Sequence, residues 1–241
     1  MNSLIWYVPL GLLVVLLAVL ARRRAYKSTP GFFLYAAFAV VAGLARFIVH
    51  EHPRPYYATY WLTEAGYDLL GMLVMYEVLR AVLGKLVRAW WGQLIFPAIL
   101  IAGVGISLAR AHDVPSRLGG VLFYIVMGET AVRFVQVIVF AGLVTLVPVL
   151  GLRWRQYSFG VATGFGLYST VELVITSKVS DFGTKFIFLW DVTSLVAYSV
   201  AVLIWIWFFS VPQKTQNPSS ELSAPSPGDL QQYKDALRRM R

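Results

Sequence analysis

Residues 57–83 form an apolar stretch that is long enough to cross a bilayer, yet this stretch contains three carboxylates. About 20 helical residues suffice to span the hydrocarbon core, and a carboxylate at that depth is costly unless it faces protein or water. On a helix, polar and small residues of this stretch recur every three or four positions and share one face. They are Tyr57, Tyr60, Glu64, Asp68 and Gly71. This stripe predicts a bundle of membrane helices with a polar interior.

A third acidic residue of the stretch, Glu77, lies on a different face of the same helix. Arg80 follows it three residues later, which is a spacing that brings two side chains together on a helix. We therefore expect Glu77 and Arg80 to form an ion pair at the membrane interface.

The composition agrees with a chain that is mostly embedded in a bilayer. Hydrophobic residues make up 58% of it and charged residues only 14%, which is too apolar for a soluble domain with a charged surface. The chain has an excess of Lys and Arg and a formal charge of +9, which is expected of a membrane protein because basic residues gather in its cytoplasmic loops. We therefore expect the lipid bilayer, and no nucleic acid, as a partner. The absence of cysteine excludes disulfides and thiolate ligands.

Similar apolar stretches recur along the chain, and we predict an all-α fold, a polytopic bundle of seven transmembrane helices. The predicted spans are residues 4–21, 31–50, 57–80, 92–109, 128–149, 157–177 and 186–209. The helical pattern that leads into the fifth span already begins at about residue 116, so the predicted helix is longer than a bilayer requires. The link 51–56 contains Pro53 and Pro55, which we expect to stop helices there.

The distribution of Lys and Arg predicts the orientation of this domain, residues 1–211. Basic residues concentrate in the loops on one side and in the tail, which favours an outside N-terminus and a cytoplasmic C-terminus. We expect residues 212–228 to be a disordered linker and residues 229–241 to be a short basic amphipathic helix. That helix either lies on the inner leaflet through Lys234, Arg238, Arg239 and Arg241 or is a solvated, frayed end. The tail also offers a route to a partner protein.

With this orientation, the polar residues within the spans fall in the outer half of the membrane. We predict that they line one outward-open pocket, made of Arg46, Tyr57, Tyr60, Glu64, Asp68, Glu129, Arg133, Tyr168, Glu172, Asp191 and Tyr198. Glu129 and Arg133 form an i,i+4 pair, and Arg46 can neutralise Glu64 or Asp68. The surplus of carboxylates implies protonation, a bound cation, a cationic ligand or water. The alternative is that these charges only hold the helices together.

Small residues in the sixth span predict a tight helix contact. Gly160 and Gly164 are four residues apart and therefore lie on one face, where they let a neighbouring backbone approach closely.

Motifs of known intramembrane enzymes are incomplete in this chain, and we predict no catalytic, cofactor or metal-binding residues. Glu129-Thr-Ala-Val-Arg133 resembles half of the motif of CAAX-type proteases, but Gly128 occupies the position of the first Glu. Residues 191–195 are similar to the retinal-binding segment of microbial rhodopsins, but Leu195 stands where the retinal lysine would be, so no Schiff base can form there. His50, Glu51 and His52 could supply metal ligands, but they lie beside prolines and the only other histidine, His112, belongs to a separate outer loop, which is unfavourable for a metal site.

Two longer segments carry a broader resemblance. YWLTEAGYDLLGMLVMYEVLR and LGLRWRQYSFGVATGFGLYSTVELV are similar to a group of seven-helix membrane proteins common in acidobacterial genomes. The resemblance implies the seven-helix fold and a bacterial inner membrane, and it implies no activity. We expect a multi-pass protein that binds or senses a small ligand or cation. The alternatives are a small proton- or cation-coupled transporter and a structural subunit of a membrane complex.

Overall fold

A computed structural model of the chain describes residues 4–84, 94–111, 121–149, 156–182 and 187–211. Within these ranges the chain is helical and contains no strand. Its seven α-helices are α1 (Leu4–Arg22), α2 (Pro30–Val49), α3 (Pro53–Val82), α4 (Ile95–Ala111), α5 (Val121–Val149), α6 (Gln156–Phe182) and α7 (Ile187–Ser210), and a 3-10 turn, Ala25–Lys27, lies between α1 and α2. The all-α prediction is confirmed for these residues.

Among the described residues, four helical segments are long and apolar enough to cross a membrane. They are Pro30–Val49, Gly128–Val149, Tyr157–Ile175 and Val192–Ser210, while Val8–Arg22 and Phe96–Ala109 are apolar but shorter. The helix α3 is 30 residues long but carries charged side chains. The described part of the chain therefore has membrane-spanning character in at least four of its helices.

Pro53 and Pro55 lie in the first turn of α3, whereas the sequence predicted that they stop a helix. His52 is extended and precedes the helix, and Pro53 occupies its first turn. A proline in the first turn costs no backbone hydrogen bond, because the first N–H groups of a helix have no partner within the helix. The fixed φ of proline also suits the helix. The prolines thus end the preceding connection and begin α3 four residues earlier than the predicted span.

The helices form a closed ring in which each packs against the next. The order around the ring is α1, α2, α3, α5, α6, α7 and back to α1, with α4 packed outside against α5 and with α3 also touching α6. At the closing contact, the guanidinium of Arg23 donates to the carbonyl of Ser210 at the end of α7. This order places one face each of α2, α3, α5, α6 and α7 toward a common interior.

An aromatic and aliphatic core fills one part of that interior. Trp205 and Phe32 are fully buried, and their rings meet edge to face at 5.1 Å between centroids. Phe209 stacks on Phe32 at 5.3 Å. Trp205 also lies against Gly164, where any side chain would collide with its indole, and Gly160 lies in the same way against Phe208. The absence of side chains at both glycines lets α6 and α7 approach closely.

The outside of the ring is apolar. Ile48, Leu62, Leu69, Ile101 and Trp207 are each about 70% exposed or more. Large exposed apolar surfaces are unusual on a monomeric soluble protein and are normal where a helix faces lipid. The helices therefore present large apolar side chains outward, whereas Arg133 and Glu172 are buried inside the ring.

The predicted tail lies outside the described residues. This applies to the linker 212–228, to the helix 229–241 and to its basic residues Lys234, Arg238, Arg239 and Arg241.

Candidate functional site

Arg46 and Glu64 join α2 to α3 in the interior of the ring. Nη2 of Arg46 lies 2.9 Å from Oε1 of Glu64, and the two side chains are only 15% and 12% exposed. Nε of Arg46 also donates to Oγ1 of Thr63 at 2.7 Å. Of the two carboxylates that the sequence offered to Arg46, the structure pairs it with Glu64.

Two tyrosine rings complete the surroundings of Arg46. Its guanidinium carbon lies 4.6 Å from the ring centroid of Tyr60 and 5.5 Å from that of Tyr67, distances at which a cation is attracted to an aromatic face. Nη2 of Arg46 further donates to the backbone carbonyl of Tyr60 at 3.3 Å. Arg46 is therefore held in one place by a carboxylate, a hydroxyl, a carbonyl and two rings.

A second arginine, Arg133 on α5, enters the same interior. It lies 3.5 Å from Glu129, one helical turn earlier on the same helix, and its guanidinium carbon is 4.7 Å from the ring centroid of Tyr168. Arg133 is only 8% exposed. Its Nε is buried and has no hydrogen-bond partner among the described residues.

A polar cavity of about 140 Å³ opens between these groups. Of the residues predicted to line a pocket, it contains Arg46, Glu64, Arg133, Tyr168 and Tyr198. They come from five helices, α2, α3, α5, α6 and α7. The rings of Tyr168 and Tyr198 meet edge to face at 5.4 Å between centroids. The ring of helices thus brings residues that are far apart in sequence to one small space.

Three further carboxyl groups do not line the cavity but interact electrostatically with Arg133, with Glu64 or with one another. They are Asp68, Glu129 and Glu172. Glu172 is only 6% exposed. Oδ1 of Asp68 is buried and has no hydrogen-bond partner in the described part of the chain. Two guanidinium groups are therefore surrounded by four carboxyl groups.

Two predicted pocket tyrosines lie elsewhere. Tyr57 is 56% exposed and packs on Trp61 at 6.0 Å between ring centroids, so its assignment to the pocket was wrong. It lies about one turn after the start of α3 at Pro53, near this end of the helix, where its side chain remains exposed. Tyr60 does not line the cavity and contributes instead through the face that it presents to Arg46.

Asp191 belongs to α7, but its side chain lies outside the described part.

No protein-family model, curated protein or solved structure matches the chain.

Four residues that line the cavity were not among the predicted ones: Tyr35, Tyr67, Gln136 and Phe165. Gln136 is 1% exposed, and its Oε1 accepts a hydrogen bond from Oγ of Ser169 on α6. An amide inside an apolar helix, three residues after Arg133, was a signal that sequence reasoning could have used. A neutral side chain was missed because the sequence argument followed charges. Phe165 carries no polar signal, so only the packing of α6 reveals it.

The predicted partner of Glu77 was also wrong. Oε2 of Glu77 accepts a hydrogen bond from the backbone N–H of Phe32 at 3.1 Å, and no ion pair joins it to Arg80. The physical reason is that the first N–H groups of α2 have no partner within that helix, and a carboxylate is well suited to satisfy them.

No group of three or more His, Asp or Glu side chains arranged to hold a metal ion occurs among the described residues. His50 instead stacks on Phe47, with the ring planes 10° apart.

Proposed function

We propose that this chain is a multi-pass protein of a bacterial inner membrane whose seven helices all cross the bilayer, with the N-terminus outside and the C-terminus in the cytoplasm. Four apolar helices of spanning length support this. The helix α3 is long enough, and its acidic residues can be accommodated because it packs between α2, α5 and α6. The excess of Lys and Arg in the loops of one side supports the orientation.

In this protein the polar cavity binds a small cation or a small protonated amine. The observation that carries this proposal is the buried Oδ1 of Asp68, which has no hydrogen-bond partner among the described residues. Asp68 does not line the cavity, but it interacts electrostatically with Arg133 and Glu64, which do. A buried carboxylate oxygen without a donor is costly, and a cation, an ammonium group or ordered water relieves that cost.

The charges around the cavity favour a cation over an anion. Arg46 and Arg133 are each engaged by a carboxylate and by an aromatic ring, so neither is available as a bare positive charge. Asp68 and Glu172 add negative charge beside them. A positive ligand would balance this excess, whereas an anion would have to compete with Glu64 and Glu129 for the guanidinium groups.

The size of the cavity limits the ligand. A cavity of about 140 Å³ is close to the roughly 150 Å³ known to accommodate a benzene molecule. The ligand therefore has about six non-hydrogen atoms or fewer, or is a metal ion with part of its hydration shell. A peptide, a nucleotide or a sugar is too large.

Thermal unfolding of the full chain in detergent micelles tests the proposal, with ammonium, methylammonium, tetramethylammonium and sodium chloride as probes. We expect at least one of them to raise the unfolding temperature in a saturable manner, because binding to the folded state stabilises it by RT ln(1 + [L]/Kd). We expect Asp68→Asn to fold and to lose this response. Glu51→Gln is the matched control, since the side chain of Glu51 is 77% exposed, and it should respond as the unmodified protein does.

The outcomes separate the three functions. A saturable response that Asp68→Asn abolishes supports binding or sensing, and uptake of the same cation by vesicles containing the protein would make it a transporter. No response to any probe, with equal loss of stability on substitution of each charged residue around the cavity, would overturn the proposal and favour a structural subunit.

A further inference from the structure

A second, larger cavity lies on the surface where α2 begins and α3 ends. This groove has a volume of about 570 Å³, and its walls are mainly apolar. Leu34, Leu73 and Tyr76 line it and are 51%, 45% and 40% exposed. Glu77 at the groove lies thirteen positions after Glu64 at the polar cavity, or roughly 20 Å along α3 at 1.5 Å per residue. The two cavities are therefore separate sites.

Two opposite charges lie at the edge of the groove. Glu77 and Arg80 both line it. The carboxylate of Glu77 is held in place because its Oε2 accepts from the N–H of Phe32. Arg80 is exposed and forms no ion pair with any described residue. The negative charge of Glu77, which is held in place, and the positive charge of Arg80, which is unpaired among the described residues, thus lie beside an apolar wall.

We propose that this groove binds one membrane phospholipid with an ethanolamine headgroup. The lipid ammonium donates to the carboxylate of Glu77, the phosphate diester pairs with the guanidinium of Arg80, and an acyl chain lies along Leu34 and Leu73. The ends of two membrane helices lie at headgroup depth, where a long basic side chain reaches a lipid phosphate while its stem stays on apolar surface.

The charge pattern distinguishes among headgroups. A choline headgroup carries a quaternary nitrogen with no N–H, so it cannot donate to Glu77. A glycerol headgroup supplies no positive charge, and the lipid's net negative charge is repelled by Glu77. Of these three headgroups, only ethanolamine offers both a positively charged hydrogen-bond donor and a phosphate, and both contacts are charge-assisted.

Native mass spectrometry of the full chain tests the proposal. The protein in detergent micelles is incubated separately with dioleoyl phosphatidylethanolamine, dioleoyl phosphatidylcholine and dioleoyl phosphatidylglycerol, and the retained lipid is counted. We expect one bound phosphatidylethanolamine per chain, and roughly tenfold less retention of the other two lipids, since one charge-assisted hydrogen bond is worth about that factor.

Two conservative variants assign the effect to the groove. Arg80→Gln and Glu77→Gln should each lower the retention of phosphatidylethanolamine by roughly tenfold. Glu77→Gln keeps an oxygen that can accept from Phe32. Arg22→Gln is the control, because Arg22 is an exposed arginine at the end of α1 that does not line the groove, and it should retain the lipid as the unmodified protein does.

A third variant keeps the test decisive if Glu77→Gln fails to fold. Leu34→Trp fills the apolar wall from an exposed position and should also reduce retention. Equal retention of the three lipids, preferential retention of phosphatidylglycerol, or unchanged retention in both Arg80→Gln and Leu34→Trp would overturn the proposal.

Discussion

Glu77, near the end of α3, accepts a hydrogen bond from the backbone N–H of Phe32 in the first turn of α2, at 3.1 Å. The residue that would ordinarily cap α2, Thr29, makes no hydrogen bond to the first turn through its side chain. The cap is therefore supplied by a neighbouring helix. This contact couples the start of α2 to the end of α3.

Removing this cap should loosen the first turn of α2. We expect Glu77→Ala to lower the free energy of unfolding by about 1 to 2 kcal/mol, the usual cost of losing a helix cap. Amide hydrogen exchange at Phe32 should accelerate, while exchange in the middle of α2 should change little. Glu51→Ala, at an exposed carboxylate, is the control. Unchanged protection of Phe32 would show that the cap does not stabilise this turn.

The pair between Arg46 and Glu64 should contribute strongly to stability. Arg46→Met leaves Glu64 in the interior without its cation, and we expect a loss of about 3 kcal/mol in the free energy of unfolding. Arg46→Met combined with Glu64→Leu should regain most of that loss, because both charges are then absent. Arg54→Met changes an exposed arginine and should alter stability by less than about 0.5 kcal/mol. Chemical unfolding in mixed micelles measures all three. A double variant that is less stable than Arg46→Met alone would contradict this explanation.

Close packing between α6 and α7 predicts a difference between two glycines. The Cβ of Gly164→Ala would collide with the indole of Trp205, and overpacking of this kind costs about 1 to 3 kcal/mol. Gly142→Ala meets nothing within 4 Å, so it should be neutral or stabilising by up to about 1 kcal/mol through helix propensity. Thermal unfolding of the two variants side by side tests this. Equal stability of both would mean that α6 and α7 separate without cost.

The hydrogen bond between Ser169 and Gln136 predicts the effect of removing a hydroxyl. Ser169→Ala leaves the buried Oε1 of Gln136 without this donor, and an unsatisfied buried acceptor costs about 1 to 3 kcal/mol. Thr145→Val removes a hydroxyl from an exposed position on α5, where it donates to the carbonyl of Ala141, and should change stability by less than about 0.5 kcal/mol. The free energies of unfolding of the two variants, each compared with that of the unmodified protein, test this prediction. If Ser169→Ala were no more destabilising than Thr145→Val, water would have replaced the lost donor.

Much of the helical architecture could be predicted because its signal is local. Long apolar runs in 31–50 and 157–177 predict helices that lie close to α2 and to the first part of α6, since a bilayer requires every backbone group to be paired within the helix. The pairing of Glu129 with Arg133 was equally local, because residues four apart on a helix are neighbours.

The partners of isolated polar residues could not be predicted in the same way. Arg46 had two carboxylates within reach of its helix, and the choice of Glu64 depended on the rotation of α3 against α2. The wrong partner for Glu77 has the same origin, since the sequence shows Arg80 nearby but not the start of α2 in space.

The sequence by itself determined that this chain is helical, where its apolar helices lie, and that Glu64, Asp68, Glu129 and Glu172 require protein or water around them. These conclusions follow from periodicity and from the cost of burying charge, which act within one helix. Only the tertiary structure decided that Gln136 and Tyr35 join Arg133 at one cavity, because contacts between helices depend on their rotation and order around the ring. That order brings α2 and α6, which are distant in sequence, to one cavity of about 140 Å³, where the rings of Tyr35 and Phe165 meet at 5.0 Å between centroids.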